Sequence, residues 1–231
     1  MKLLALDTSS ARCSAALWQD GIVLQQSTDT ARDHARLILP MIDGLLAEAG
    51  TTLSQLDGIA FGRGPGSFTG LRIAAAVTQG LAAGADLPVL PVSALRALAA
   101  QARDAAPVLH DGLLLACMDA RMGEIYWGAF EVQHGLRIAS AFPEVVAAPE
   151  PLPAPLRGAV VRAAGRGLAA YPGIAAWLGL DAPACLSAAE PEAADIARLA
   201  AADLAAGEAA WLDATSAQPV YLRDKVAKMQ S

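Results

Sequence analysis

The chain opens on an apolar run, Lys2 to Asp7, that stops at the polar turn Thr8-Ser9-Ser10. A short apolar run bounded by turn residues reads as a buried strand. Arg12 to Trp18 and Ile22 to Ser27 read as two more strands, joined by the hairpin signal Gln19-Asp20-Gly21. The hydrophobic period then becomes helical. His34, Leu37, Ile38, Met41, Ile42, Leu45, Leu46 and Ala49 share one stripe of a helix over 33–49. Pro40 predicts a bend in it, and Gly50 its end. Leu56 to Gly62 reads as a fourth strand. The loop Arg63-Gly64-Pro65-Gly66 leads from it to Ser67, an N-cap for a helix over 67–84. Leu87 to Val92 makes a fifth strand, and Ser93 caps a helix from Ala94 to about Arg103. This order predicts a mixed sheet flanked by helices.

The pattern then begins again. Leu114 to Asp119 echoes Leu3 to Asp7. A turn at Arg121-Met122-Gly123, a strand from Glu124 to Val132 and a hairpin at Gln133-His134-Gly135 follow in the same order as before. Such an internal repeat predicts two lobes of related design with a cleft between them. We place one over 1–105 and a smaller one, with the C-terminal tail, over 106–231. Within the second, Pro149 to Pro155 is proline-dense and reads as an exposed, stiff connector. Val160 to Ala164 reads as a strand, Glu192 to about Gly207 as a helix, and Pro219 to Arg223 as an extended tail.

Composition narrows the class. A chain of 231 residues can bury one large core or two modest ones. It is 55% hydrophobic and only 5% aromatic, so its core is built from Ala, Leu, Val and Ile in broad helix contacts. The formal charge of −6, with no basic stripe, argues against a chain that grips nucleic acid alone, because phosphate neutralisation drives that affinity. Cys13, Cys117 and Cys185 are far apart and form neither a disulfide framework nor a zinc pattern. With no secretory leader pattern and no span-length apolar run, the expectation is a soluble protein of the reducing cytoplasm, away from membranes.

Candidate chemistry is sparse. His34, His110 and His134 include no pair at metal-ligand spacing. His34 starts an apolar helix face and reads as a packed or capping group. Glu124 has no serine, histidine or second carboxylate near it in sequence to complete an acid–base site. Gly64-Pro65-Gly66-Ser67 opens a helix, where free amides can hold an anion, but no Gly-Lys-Ser/Thr run follows. A tight turn setting the strand-to-helix angle is the other reading. Asp7, Thr8 and Ser9 offer either a weak magnesium–phosphate contact or a side-chain turn that satisfies backbone amides. Asp119 faces the same choice.

Three segments together resemble the TsaB (YeaZ) family: Ala5-Leu6-Asp7-Thr8-Ser9, Gly62 to Arg72, and Met118 to Tyr126. Pro219-Val220-Tyr221-Leu222-Arg223 is similar to the family's ending. The resemblance implies a two-lobed α/β fold of the actin-like/sugar-kinase/Hsp70 class, with duplicated ribonuclease-H-like lobes. It implies a part in making N6-threonylcarbamoyladenosine at position 37 of tRNAs. There a TsaD-like subunit carries out the transfer, a TsaE-like subunit is an ATPase, and TsaB is a non-catalytic scaffold that pairs with TsaD. TsaD-like relatives hold a metal with two histidines one helical turn apart. The matching positions here are Ala94 and Leu98, which cannot coordinate one, so the resemblance implies no metal site and no catalytic residue. ATP or ADP would bind weakly, near Asp7, Thr8, Ser9, Gly64 and Gly66, or at the subunit interface. Two helices would carry the partner surface: His34, Leu37, Ile38, Met41 and Leu45 on the first, Phe68, Leu71, Arg72 and Ala75 on the second. The partner there is TsaD, or a second copy when the chain is alone, and tRNA is reached only through the complex. One other reading remains open, a small ATPase or kinase of the same fold acting alone; the absent metal pair and the absent Ser/His/Asp or Cys/His pattern argue against a peptidase.

Overall fold

The structure, a computed structural model, describes residues 1–30, 32–105, 112–133 and 137–223. Five strands of the first half form one sheet: β1 (Lys2–Asp7), β2 (Arg12–Gln19), β3 (Ile22–Asp29), β4 (Gly58–Gly64) and β5 (Val89–Ser93), in the order β3-β2-β1-β4-β5. The first three pair antiparallel, and β4 and β5 join them in parallel. Asp20 and Gly21 turn the first hairpin, both at positive φ, as a two-residue loop between right-twisted strands requires. Helices α1 (His34–Glu48) and α2 (Phe68–Ala85) cover the sheet's outer face. There Ile38, Ile42, Leu45, Ala74 and Ala82 pack on Leu4, Leu6, Leu17, Ile59 and Phe61. Pro40 lies inside α1, and Gly50, at φ 58°, follows its end as expected.

The second half repeats the plan. Its strands are β6 (Leu113–Arg121), β7 (Glu124–Gln133), β8 (Arg137–Ala147), β9 (Val160–Ala164) and β10 (Cys185–Leu186). Read from the far edge, their order is β8-β7-β6-β9-β10, the same as in the first sheet with the same parallel and antiparallel pairings. The repeat seen in the letters is therefore a repeat of topology, and the fold is two-lobed and actin-like. Gln133 pairs with Arg137, while His134 and Gly135 of the expected hairpin, like His110, lie outside the described residues.

The halves are joined by more than a linker. Helix α3 (Ala94–Asp104) leaves the first sheet and packs on β6, β7 and β9 of the second. Helix α6 (Ala193–Ala205) returns from the second half to pack on β1, β2 and β4. The two helices touch, and one continuous core results, running from Leu3, Ala5 and Val92 through Leu95, Leu98, Ile196 and Leu199 to Leu114 and Phe130. Alanines 94, 97, 99, 100 and 102 are all buried on α3, so this short helix can lie between two sheets without spreading them.

One expectation is corrected. The proline-dense stretch 149–155 is not simply an exposed connector. Leu152 and, just beyond it, Leu156 are buried in the outer core of the second sheet, beside α4 (Gly167–Ala170) and α5 (Gly173–Leu178). Prolines stiffen the chain there while the leucines anchor it. Strand β8 is an edge strand with an exposed, mixed pattern and Pro143 inside it, which hides its period.

Because α3 belongs to one half and packs on the other, both lobes should melt together. Leu98→Ala, at a site with no exposure, should cost about 2–4 kcal/mol. Amide exchange in β1 and β6 should accelerate to the same extent. Loss of protection in one strand alone would contradict a shared core.

Candidate functional site

The end of β1 is tightly enclosed. Asp7, Thr8 and Ser9 are almost wholly buried. Asp7 Oδ1 accepts from the Ser9 amide at 2.9 Å and from Ser9 Oγ at 2.8 Å, a side-chain turn. Asp7 Oδ2 has no hydrogen-bond partner among the described residues. It fills the space left by Gly62, where a Cβ would stand 1.7 Å from it, with Ile196 of α6 closing the slot. Burial pushes the Asp7 carboxyl up to about 7, against the two Ser9 hydrogen bonds, and the charge of Glu190 adds to the rise. Glu190 is itself buried and shifted upward by burial, with Ser10 and Arg166 opposing.

The glycine-rich loop is pressed onto this turn. Ser67 N donates to Ser9 O at 2.6 Å, and Thr8 Oγ1 donates to Gly70 O at 2.7 Å. A Cβ at Gly66 would lie 2.3 Å from Ser9 O, and one at Gly70 would lie 1.8 Å from Thr8 O. Gly64 sits at φ 105° with the Val220 carbonyl against it. Ser67 caps α2 by accepting from Gly70 N at 3.4 Å. These glycines allow backbone to meet backbone, and the Ser67 amide is spent on Ser9 rather than turned outward.

The second lobe repeats the turn in a more open form. Asp119 Oδ1 accepts from the Arg121 amide at 2.8 Å, and Oδ2 pairs with Arg121 Nη1 at 3.0 Å. Arg121 and Met122 both have positive φ, 62° and 57°, and Met122 is exposed. Glu124 is ion-paired with Arg223 of the tail.

Other candidate chemistry is occupied by structure. Ala94 and Leu98 both face the central core. No group of three His, Cys, Asp or Glu side chains converges as a metal site among the described residues. Burial pushes the Cys13 thiol up to about 11, with Asp7 adding, and the Cys117 thiol up to about 12, so both stay protonated at neutral pH. A cavity of about 360 Å³ between the lobes collects Arg63, Arg96 and Arg137, but each guanidinium is met by a carboxylate: Glu144, Asp203 and Glu208 respectively.

The helix surface chosen from the sequence divides in two. Ile38, Leu45, Leu71, Ala75 and His34 are buried, and His34 Nε2 lies 3.0 Å from Ser10 O. They pack on their own lobe, so they cannot form a contact face while the fold is intact, and a charge at Leu71 would break the core. Leu37 and Met41 are half-buried, while Leu39, Phe68 and Arg72 are exposed. A helical stripe read from sequence selects the most apolar face, which is the core face, and so misses the rim. It also missed Tyr221. The tail brings that ring within 5.3 Å of Phe68, and Arg72 lies 3.8 Å above Phe68 while donating to Tyr221 OH at 3.2 Å.

Comparisons with known proteins agree with one another. The family model described as TsaD: tRNA N6-adenosine threonylcarbamoyltransferase matches residues 21–230. The tRNA threonylcarbamoyladenosine biosynthesis protein TsaB of Escherichia coli K12 is 38% identical over 236 residues, covering 98% of this chain and 96% of that one. The protein of the same name from Haemophilus influenzae is 51% identical over 128 residues, 55% of this chain and 52% of its own. The solved structure of YeaZ from Pseudomonas aeruginosa superposes with a TM-score of 0.82 at 41% identity, covering 96% of this chain and 99% of that one.

Asp7 gives a pH test. Its folded value of about 7 lies above the ordinary 3.8, so the folded state holds a proton that the unfolded chain has lost. Its contribution to stability is full below the unfolded value and is lost as pH rises through about 7. Between about pH 5.5 and 8.5 the protein should lose about 2 kcal/mol that Asp7→Asn does not lose. Urea unfolding across that range checks this, and parallel curves for the two proteins would refute it.

Proposed function

The chain belongs to the TsaB (YeaZ) family, and from that premise we propose that it is the non-catalytic scaffold of an assembly that makes threonylcarbamoyladenosine in tRNA. The observation that carries the reading is the fate of the metal-ligand positions. Where the resemblance places two histidines, this chain has Ala94 and Leu98, and both are sealed in the core that joins the lobes. The chain's own contribution is then a surface. A TsaD-like catalytic subunit docks on the outer rim of α1 and α2, at Leu37, Leu39, Met41, Phe68 and Arg72. The rim continues along α2 as Ala76, Gly80 and Ala83, small exposed residues that let a partner helix approach closely. A TsaE-like ATPase joins the pair, and ATP or ADP is held at the shared interface rather than by this chain alone. The net charge of −6 fits a chain that reaches tRNA through its partner. In the absence of that partner the same rim pairs two copies of the chain. The cytoplasm is the expected location, and no helix among the described residues is long and apolar enough to cross a membrane.

Reconstituted tRNA threonylcarbamoylation, run with and without this chain, tests the role. Leu39→Asp and Ala76→Asp lie on the exposed rim and should leave the fold intact. Each should weaken copurification with the TsaD-like subunit by about tenfold or more, and product formation should fall with it. A complex that survives both substitutions would place the docking surface elsewhere, and full activity without the chain would remove the scaffold role.

A further inference from the structure

The last described segment first adds Ala214 and Ala217 to the outer core of the first lobe and then runs on past it. Leu212 and Val89 exchange two backbone hydrogen bonds, at 2.9 and 3.0 Å, which fixes the chain at the β5 edge. Gln79 on α2 then donates to Ala217 O at 3.0 Å. Beyond that anchor the chain crosses the first turn of α2. Val220 N donates to Arg63 O at 2.8 Å, beside Gly64. Tyr221 lies on Phe68 and receives the Arg72 hydrogen bond. Arg223 then reaches the other lobe, pairing with Glu124 and approaching Met122 Sδ at 3.6 Å.

We propose that residues 219–223 are a releasable clasp that ties the β6–β7 turn of the second lobe to the first turn of α2 on the first. The shared core fixes the lobes at their centre, and the clasp fixes them at the rim. The β6–β7 turn is where such a tie has most effect. Arg121 and Met122 both hold the left-handed conformation, which non-glycine residues adopt at a cost, and the turn's outer contact is the tail arginine. The clasp can open without unfolding. It makes one backbone bond with Arg63, and its Tyr221 is 43% exposed even in place. Its anchors on α2, Phe68 and Arg72, stand on the exposed side of that helix, so whatever touches the outer face of α2 also touches the clasp. This inference stands on contacts within the chain and does not depend on the identity of the partner.

Hydrogen exchange read by mass spectrometry tests it on three proteins: the full chain, a chain ending at Gln218, and full-length Arg223→Ala. In the shortened chain, amides of 121–124 and of 64–71 should both exchange about tenfold faster, with β1 and residues 113–119 of β6 unchanged. Arg223→Ala should loosen 121–124 and leave 64–71 as it was. If the shortened chain leaves either segment at its full-length rate, the tie between lobes is refuted. If shortening also loosens β1 and residues 113–119 of β6, Arg223→Ala decides, and an unchanged turn there refutes the clasp.

Discussion

The structure depends on the exchange of helices between the two sheets. Each half supplies a five-stranded sheet and a helix, and each helix is buried chiefly on the sheet of the other half. Neither sheet could keep its inner face dry alone. Removing α3 would uncover Leu114, Ala116 and Phe130, and removing α6 would uncover Leu3, Ala5 and Ala60. With about 1.5–3 kcal/mol for each large apolar side chain sealed there, this layer outweighs any surface ion pair. It also requires slender helices. Alanine satisfies that need, and a composition rich in alanine and poor in aromatics is the compositional consequence of a helix pair held between two sheets.

The repeat makes the two lobes chemically comparable. Asp7 ends β1 and Asp119 lies two residues before the end of β6, and each accepts a backbone amide two residues on. Their surroundings then diverge. Asp119 finds a cation in Arg121 and remains partly open. Asp7 is enclosed by Gly62 and Ile196, faces Glu190, and keeps one oxygen without a hydrogen-bond partner among the described residues. A carboxyl so enclosed keeps its proton up to about pH 7, because desolvation outweighs two hydrogen bonds. The same side-chain turn is thus a closed latch in one lobe and a surface feature in the other.

Much of this was legible in the letters. The apolar runs, the Ser67 and Ser93 caps and the second start at Leu114 lead directly to the strands, helices and duplicated order observed. Local signals sufficed because those elements are long and regular. The edge strand β8, the short β10 and the small helices α4 and α5 carry too few periodic positions to announce themselves. The exchange of α3 and α6 is a long-range fact that no window of sequence contains. The exposed face of α1 and α2 was hidden from the letters for a different reason. Periodicity measures apolarity, and the most apolar face of a helix on a sheet is the one it hides, so Ile38, Leu45 and Leu71 outranked Leu39. Tyr221 is 153 positions after Phe68 and could be joined to it only by the fold.

The glycine-rich loop shows how a motif can keep its letters while its amides serve another end. Glycines before a helix N-terminus can expose amides to an anion, and they can equally bring two backbones into contact. Here the second use is visible atom by atom. Gly66 and Gly70 leave room for the carbonyls of Ser9 and Thr8, and the Ser67 amide is bonded to one of them. The loop therefore fixes the first turn of α2 against the end of β1 and so fixes where Phe68 and Arg72 stand on the surface. A side chain at either glycine would drive α2 outward and move that rim with it. The close backbone contact at Gly66 and Gly70 and the exposed aromatic–arginine cluster of α2 are thus two ends of one arrangement. A surface held by backbone contact is pre-organised, and it reaches a partner with less ordering left to do than flexible side chains on a loose helix.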